Sequence, residues 1–193
     1  MSGELRVLPV EGLPEVTEGM RLGELLAAQA ELQDGDVVVI SQKVVSKVEG
    51  QVRSLADVEP SERARELGDR LGKEPPLVEL ILSESRELLR EERVLITETH
   101  HGFICANAGI DTSNLPEPNT VCLLPADPDA SARTIRKELT TATERPRPHP
   151  PAIVISDSFG RAWRLGQAEV AIGCAGLTPL HDWRGRKDAH GRE

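Results

Sequence analysis

A chain of 193 residues with 38% hydrophobic content can fill one ample core or two small ones sharing an interface, so one compact unit, with two lobes, is expected. A formal charge of −9 argues against nucleic acid as the main partner, and 2% aromatic residues without any Tyr argue against a platform on which bases stack. No stretch reaches the roughly 18 uncharged apolar residues of a membrane span, and the opening MSGELRVLPV lacks the basic-then-apolar layout of a secretion signal, so a cytoplasmic protein is expected.

In chain order, the first predicted helix runs over Leu22 to Leu32. The turn Asp34-Gly35-Asp36 leads into an apolar run, Val37 to Ile40, that reads as a buried strand. A helix over Ser61 to Leu71 comes next. After Pro75-Pro76, Leu77, Ile81 and Leu88 share one helical face, which predicts a helix continuing through LVELILSESRELLR. Strands are predicted at Val94 to Ile96 and Val121 to Leu124, then a helix from Ala130 to Leu139 capped by Asp127 or Asp129. The stretch from Thr140 to Pro151, TTATERPRPHPP, reads as a stiff, exposed connector and puts a lobe boundary near residues 140–151. Strands at Ile153 to Ile155 and Val170 to Ala175 follow. Helices that interrupt the strands irregularly predict an α+β class with mixed sheets and packed helices, in preference to a doubly wound sheet.

Three segments carry residue types suited to chemistry. In HGFICANAGIDTSN (101–114) small residues allow close backbone approach, Asp111 offers hard oxygen to Mg²⁺ or Mn²⁺, and Asn114 offers donor and acceptor to a nucleotide; an ordinary Asx turn is the alternative. In ISDSFGRAWRLGQ (155–167) a buried strand is expected to end at Asp157, a rigid position for a metal-binding carboxylate, with the Ser158 hydroxyl reaching the same or a second ion; a helix cap is the alternative. Arg161 and Arg164, flanking Trp163, suit a carboxylate or phosphate clamp or simply a solvated surface. In GDVVVISQKVVSKVEG (35–50) the residues past the strand place Gln42 for a base or ribose and Lys47 for a phosphate, although lysines after a strand are often only solvated. There is no G-x-x-x-x-G-K-[ST], so any nucleotide site is not a P-loop. Cys105, Cys122 and Cys174 lack paired spacing and read as buried thiols.

Taken in order with VEGLPEV (10–16), LLPADPDASA (123–132) and VAIGCAGLTPLHDWRG (170–185), these segments resemble the F420-0:γ-glutamyl ligase family, which also occurs as the N-terminal domain of the actinobacterial F420 ligase. The resemblance implies a two-lobed α+β fold in an intertwined homodimer. It also implies GTP-driven attachment of L-glutamate to the lactyl carboxyl of F420-0 through an acyl phosphate, with further γ-linked glutamates in some members. By position, Leu13, Pro14, Glu15, Val16, Gln42, Lys47 and Asn114 are expected at GTP, and Asp111, Asp157 and Ser158 at divalent ions, Mg²⁺ or Mn²⁺. Participation of K⁺ stays open. Asp157 is also expected at the catalytic centre, with Arg161 and Arg164 clamping the substrate, and the preference for guanine rests on the resemblance alone.

This chain has Gln167-Ala168-Glu169 where the family usually shows Gln-Thr-Asp. Family members continue past the region of RGRKDAHGRE with a helix-bearing segment and a strand that add GTP contacts and an acidic metal ligand, so a C-terminally truncated family domain is expected. The alternatives are a binding relative without catalysis and a phosphohydrolase that uses the same carboxylates with water as acceptor.

Overall fold

The computed structural model describes residues 4–115, 117–143, 148–160 and 165–192. The elements are α1 (Leu22–Gln29), β1 (Val37–Ser41), α2 (Gln42–Val48), β2 (Val52–Ser54), α3 (Glu62–Leu71), α4 (Pro75–Ser83), β3 (Ser85–Glu92), β4 (Val94–Thr99), β5 (Ile104–Ala106), β6 (Thr120–Cys122), α5 (Pro128–Ala142), β7 (Ala152–Gly160) and β8 (Gln167–Ala175). Their strands form a mixed sheet ordered β1-β7-β8, an antiparallel pair β2-β6 and an antiparallel sheet β3-β4-β5, which makes the class α+β. Among the described residues no helix is long and apolar enough to cross a membrane.

Local chemistry explains where the helices begin and end. The Ser61 hydroxyl accepts the Ala64 N–H at 3.2 Å to open α3, and Gly72, at φ 65°, closes it in the left-handed conformation that glycine adopts without penalty. Asp127, rather than Asp129, caps α5 by accepting the Ala130 N–H at 2.8 Å, and Pro128 fills the first turn, where no intrahelical N–H is needed. The helix α5 runs on through Ala142, into what was expected to be connector; residues 144–147 of that stretch lie outside the described residues.

One predicted element is corrected. The helix expected to continue through Leu88 stops at Ser83, and Ser85–Glu92 forms strand β3 instead. The hydroxyls of Ser83 and Ser85 donate to the carbonyls of Leu80 and Ile81 at 2.9 and 2.5 Å, which satisfies acceptors of the last turn and ends the helix. Leu88 still packs against the core formed by Ala64, Leu67, Val78, Ile81 and Leu95, but it does so from an edge strand studded with charge.

The main core lies between the β1-β7-β8 sheet and the helices α1 and α5. It contains Leu22, Leu26, Val38, Ile40, Ile135, Leu139, Ile153, Ile155 and Ile172, so segments on both sides of residues 140–151 share it. Gly23 permits this packing: a Cβ there would sit 2.4 Å from both the Ile135 carbonyl oxygen and Glu138 Cβ, so the two helices touch almost backbone to backbone. Strands β1 and β7 run parallel, with Ser41 opposite Ser156, and their carboxyl ends therefore open on the same side of the molecule. That end of an α/β-type sheet is where ligands commonly enter.

Candidate functional site: a carboxylate and lysine cluster at the ends of β1 and β7

Side chains on β7 alternate between two faces, and Ile153 and Ile155 occupy the face turned to the core. Asp157 is the next residue in that row, and Phe159, itself packed on the core, follows it. A carboxylate thus stands where the pattern would continue with an apolar side chain. Strand β8 accommodates the row with a bulge, since Ile155 pairs with Gly173 while Ser156 pairs with Ala171, leaving Ile172 as the extra residue. The expected strand end at Asp157 is therefore corrected: β7 continues to Gly160, Asp157 pairs across to Val170, and the helix-cap alternative is removed.

Burial is the largest influence on the Asp157 carboxyl and pushes its pKa above the usual carboxylate range. The nearby charges of Glu169 and Asp111 push the same way, while the Ser158 N–H and the Lys43 ammonium oppose them. Cys105 lies close enough to feel this charge. Burial first, and Asp157 second, raise its thiol to about 11, which leaves it protonated and inert, as expected for a buried cysteine.

Asp111 is held differently. It leaves the 107–109 turn and forms an isolated antiparallel bridge with Cys122, with backbone hydrogen bonds of 3.0 and 2.8 Å. Its Oδ1 accepts both the Ser113 N–H and the Ser113 hydroxyl at 2.8 Å, and its Oδ2 pairs with Lys43 Nζ at 2.8 Å. Burial presses its pKa upward, but the hydrogen bonds from Lys43 and Ser113 outweigh it and hold the carboxyl below its usual value. The Asx turn anticipated from sequence is thus present, and the same carboxylate is also part of a charged cluster.

Helix α2 supplies the cations. Lys43 and Lys47, four residues apart and so on one helical face, reach two different partners. Lys43 donates to the Ser113 carbonyl at 2.7 Å as well as to Asp111, and Lys47 pairs with Glu15 at 2.7 Å, which ties the N-terminal segment to this end of the sheet. Their side chains are only 18% and 13% exposed, so neither is the freely solvated lysine that often follows a strand. Leu13 and Val16 are half-buried, Val16 packing against the main core, Pro14 and Glu15 are exposed, and Asn114 is exposed in a left-handed conformation at φ 53°.

Gln42 departs from expectation. It is 2% exposed, and its amide donates to Ser46 Oγ at 2.7 Å and to the Leu123 carbonyl at 2.9 Å, so in this structure it fastens α2 to the segment after β6 instead of presenting itself to solvent. Arg161 and Arg164 lie outside the described residues.

Sequence reasoning singled out Asp111, Asp157, Ser158, Lys47 and Glu15, and the fold gathers them at one end of the main sheet. It passed over Lys43 as a partner of Asp111 and Glu169 as a partner of Ser158. The four-residue spacing of Lys43 and Lys47 was a signal for the first. The second depends on the β7–β8 register, which sets Ser158 opposite Glu169.

Carboxylate and hydroxyl oxygens are hard donors that suit Mg²⁺ or Mn²⁺, and like charges drawn together near a buried acid are what a divalent cation would relieve, so the residues present fit such an ion. Among the described residues, no three His, Cys, Asp or Glu side chains already converge on a single coordination point. Alternation places Asp157 and Ser158 on opposite faces of β7, so of the two expectations for the Ser158 hydroxyl a second ion suits the geometry better than the one at Asp157.

The profile of the F420-0:Gamma-glutamyl ligase family matches residues 12–193. A protein of Archaeoglobus fulgidus named coenzyme F420:L-glutamate ligase is 41% identical over 189 residues, spanning 98% of this chain and 74% of the relative. Proteins of the same name from Methanothermobacter thermautotrophicus and Methanopyrus kandleri are 42% and 44% identical, spanning 97% and 98% of this chain and 75% and 73% of the relatives. Similarity of that extent, joined to a family profile that takes in every helix and strand described above, establishes that this chain belongs to the F420-0:gamma-glutamyl ligase family.

Proposed function

We propose that the chain is a GTP-dependent ligase that joins L-glutamate to the lactyl carboxyl of F420-0, working as a homodimer. The observation that carries this reading is its likeness, along 98% of its length, to relatives named coenzyme F420:L-glutamate ligase. The nucleotide and metal assignments come from the resemblance of individual segments, and the arrangement of charge at the ends of β1 and β7 is consistent with them.

In this reading Asp111 and Asp157 hold one divalent cation and Ser158 belongs to a second. The bound ions supply Lewis-acid charge that offsets the negative charge of the phosphates and of the incoming carboxylate. The 13–16 segment, Lys47 and Asn114 hold GTP, with Lys47 exchanging its contact with Glu15 for a phosphate oxygen. Lys43 keeps Asp111 and the Ser113 turn aligned, so that the Asp111 carboxylate is already oriented when substrates arrive. Arg161 and Arg164 clamp the carboxylates of the substrate.

The proposed reaction has two steps. A lactyl carboxylate oxygen attacks the γ-phosphorus, the bond to the β-phosphate oxygen breaks, and GDP leaves an acyl phosphate behind. The glutamate amine then attacks the acyl carbon, the bond from that carbon to the phosphate oxygen breaks, and inorganic phosphate departs as the amine gives up a proton.

An isotope experiment tests the sequence of bonds. F420-0 carrying ¹⁸O in its lactyl carboxylate, incubated with GTP, L-glutamate and Mn²⁺, is expected to deliver one ¹⁸O into each phosphate released. Phosphate free of ¹⁸O, formed at full rate without glutamate, would instead identify a phosphohydrolase.

A further inference from the structure

The antiparallel register of β7 and β8 sets Ser158 directly opposite Glu169, and the Ser158 hydroxyl donates its proton to Glu169 Oε1. Both side chains lie on the face of the strand pair turned away from Ile153, Ile155 and Asp157. A serine hydroxyl has one proton and two lone pairs. With its proton committed to Glu169, the oxygen can offer only lone pairs to whatever else approaches, and that is the orientation a hard cation requires.

A neutral hydroxyl is a poor competitor with water for a divalent ion unless an anionic group stands beside it. Glu169 is the residue that the fold places there, and its charge also acts on Asp157 through the strand. We infer that Glu169 is a positioning residue for the second divalent cation, taking the proton of Ser158 so that the hydroxyl oxygen faces the ion and supplying negative charge at that position. The inference rests on the ligase reading, in which Ser158 contributes to a second ion. It assigns a role to the Gln167-Ala168-Glu169 segment that the charge at Asp111 and Asp157 does not require.

Counting bound Mn²⁺ by electron paramagnetic resonance, with GDP present, separates the possibilities without using turnover. The full chain is expected to bind two Mn²⁺. Glu169→Ala should weaken one of them by about 10–100-fold, the range that loss of an outer partner of a ligand typically costs, and leave the other in place. Asp157→Asn should remove the other one. Glu169→Gln, which keeps a hydrogen-bond acceptor for Ser158 while losing the charge, should weaken the same ion by less than Glu169→Ala does, and it covers the case in which the alanine variant fails to fold.

Wild-type Mn²⁺ affinities in either folded Glu169 variant would overturn the inference. So would loss of the same Mn²⁺ in the Glu169 and Asp157 variants, because Ser158 and Asp157 would then serve one ion. If Asp157→Asn also binds both ions normally, or the full chain binds none, the metal reading itself falls and this inference falls with it.

Discussion

Replacing Asp157 by Asn is expected to lower metal-dependent GDP formation by at least about a hundredfold, since stabilisation by a bound cation amounts to several kcal/mol and each 1.4 kcal/mol is a factor of ten. The substitution keeps size and shape, so the effect isolates the charge. It should not cost stability. An acid whose pKa is raised on folding binds its proton more tightly in the folded state; it therefore favours the fold at low pH and opposes it once pH rises through the unfolded value toward the folded one. Asparagine cannot ionise, so above that window the variant escapes the opposition. Its melting temperature at neutral pH, measured with a chelator present, should equal or exceed that of the parent chain. A large fall in melting temperature would show that the carboxylate is a structural group, and unchanged GDP formation would remove it from the reaction.

The second large effect is on stability. Ile155 is fully buried in β7, the central strand of the main sheet, one step before Asp157 on the same face. Ile155→Ala removes buried methyl and methylene groups and leaves a cavity that a strand paired on both sides cannot easily close. The expected loss is about 2–5 kcal/mol, read from urea unfolding. Val39 on β1 is a matched control, since it is 64% exposed and its replacement by Ala should change stability by no more than about 0.5 kcal/mol. Equal losses at the two positions would mean that the outward face of β1 is covered in solution, and a negligible loss at Ile155 would contradict the core described here.

What the sequence revealed depended on whether local chemistry decided the outcome. Helices α3 and α5 were legible because Ser61, Gly72 and Asp127 mark their ends with residues whose side chains or backbone freedom serve the adjacent turns. The break between α4 and β3 was hidden because the spacing of Leu77, Ile81 and Leu88 satisfies a helical period, whereas the hydroxyls of Ser83 and Ser85 and pairing with β4 determine the structure.

The site shows the same division. Asp111 and Asp157 stood out by residue type and context. Lys43, Gln42 and Glu169 acquire their roles from partners 68, 81 and 11 residues away, namely Asp111, Leu123 and Ser158, and only the assembled fold supplies those pairings. The raised pKa of Asp157 likewise follows from its place in the core-facing row of β7, which a reading of the strand as ending at that residue could not contain. The parallel pairing of β1 with β7 joins residues more than a hundred positions apart and carries no local signature.

The most direct test of the central claim is mass spectrometry of F420-0 after incubation with the purified chain, L-glutamate, GTP and Mn²⁺. The account predicts a product heavier by one glutamyl residue, formed only when all of these components are present and absent with Asp157→Asn. A well-folded chain that binds GTP and Mn²⁺ yet leaves F420-0 unchanged would contradict it.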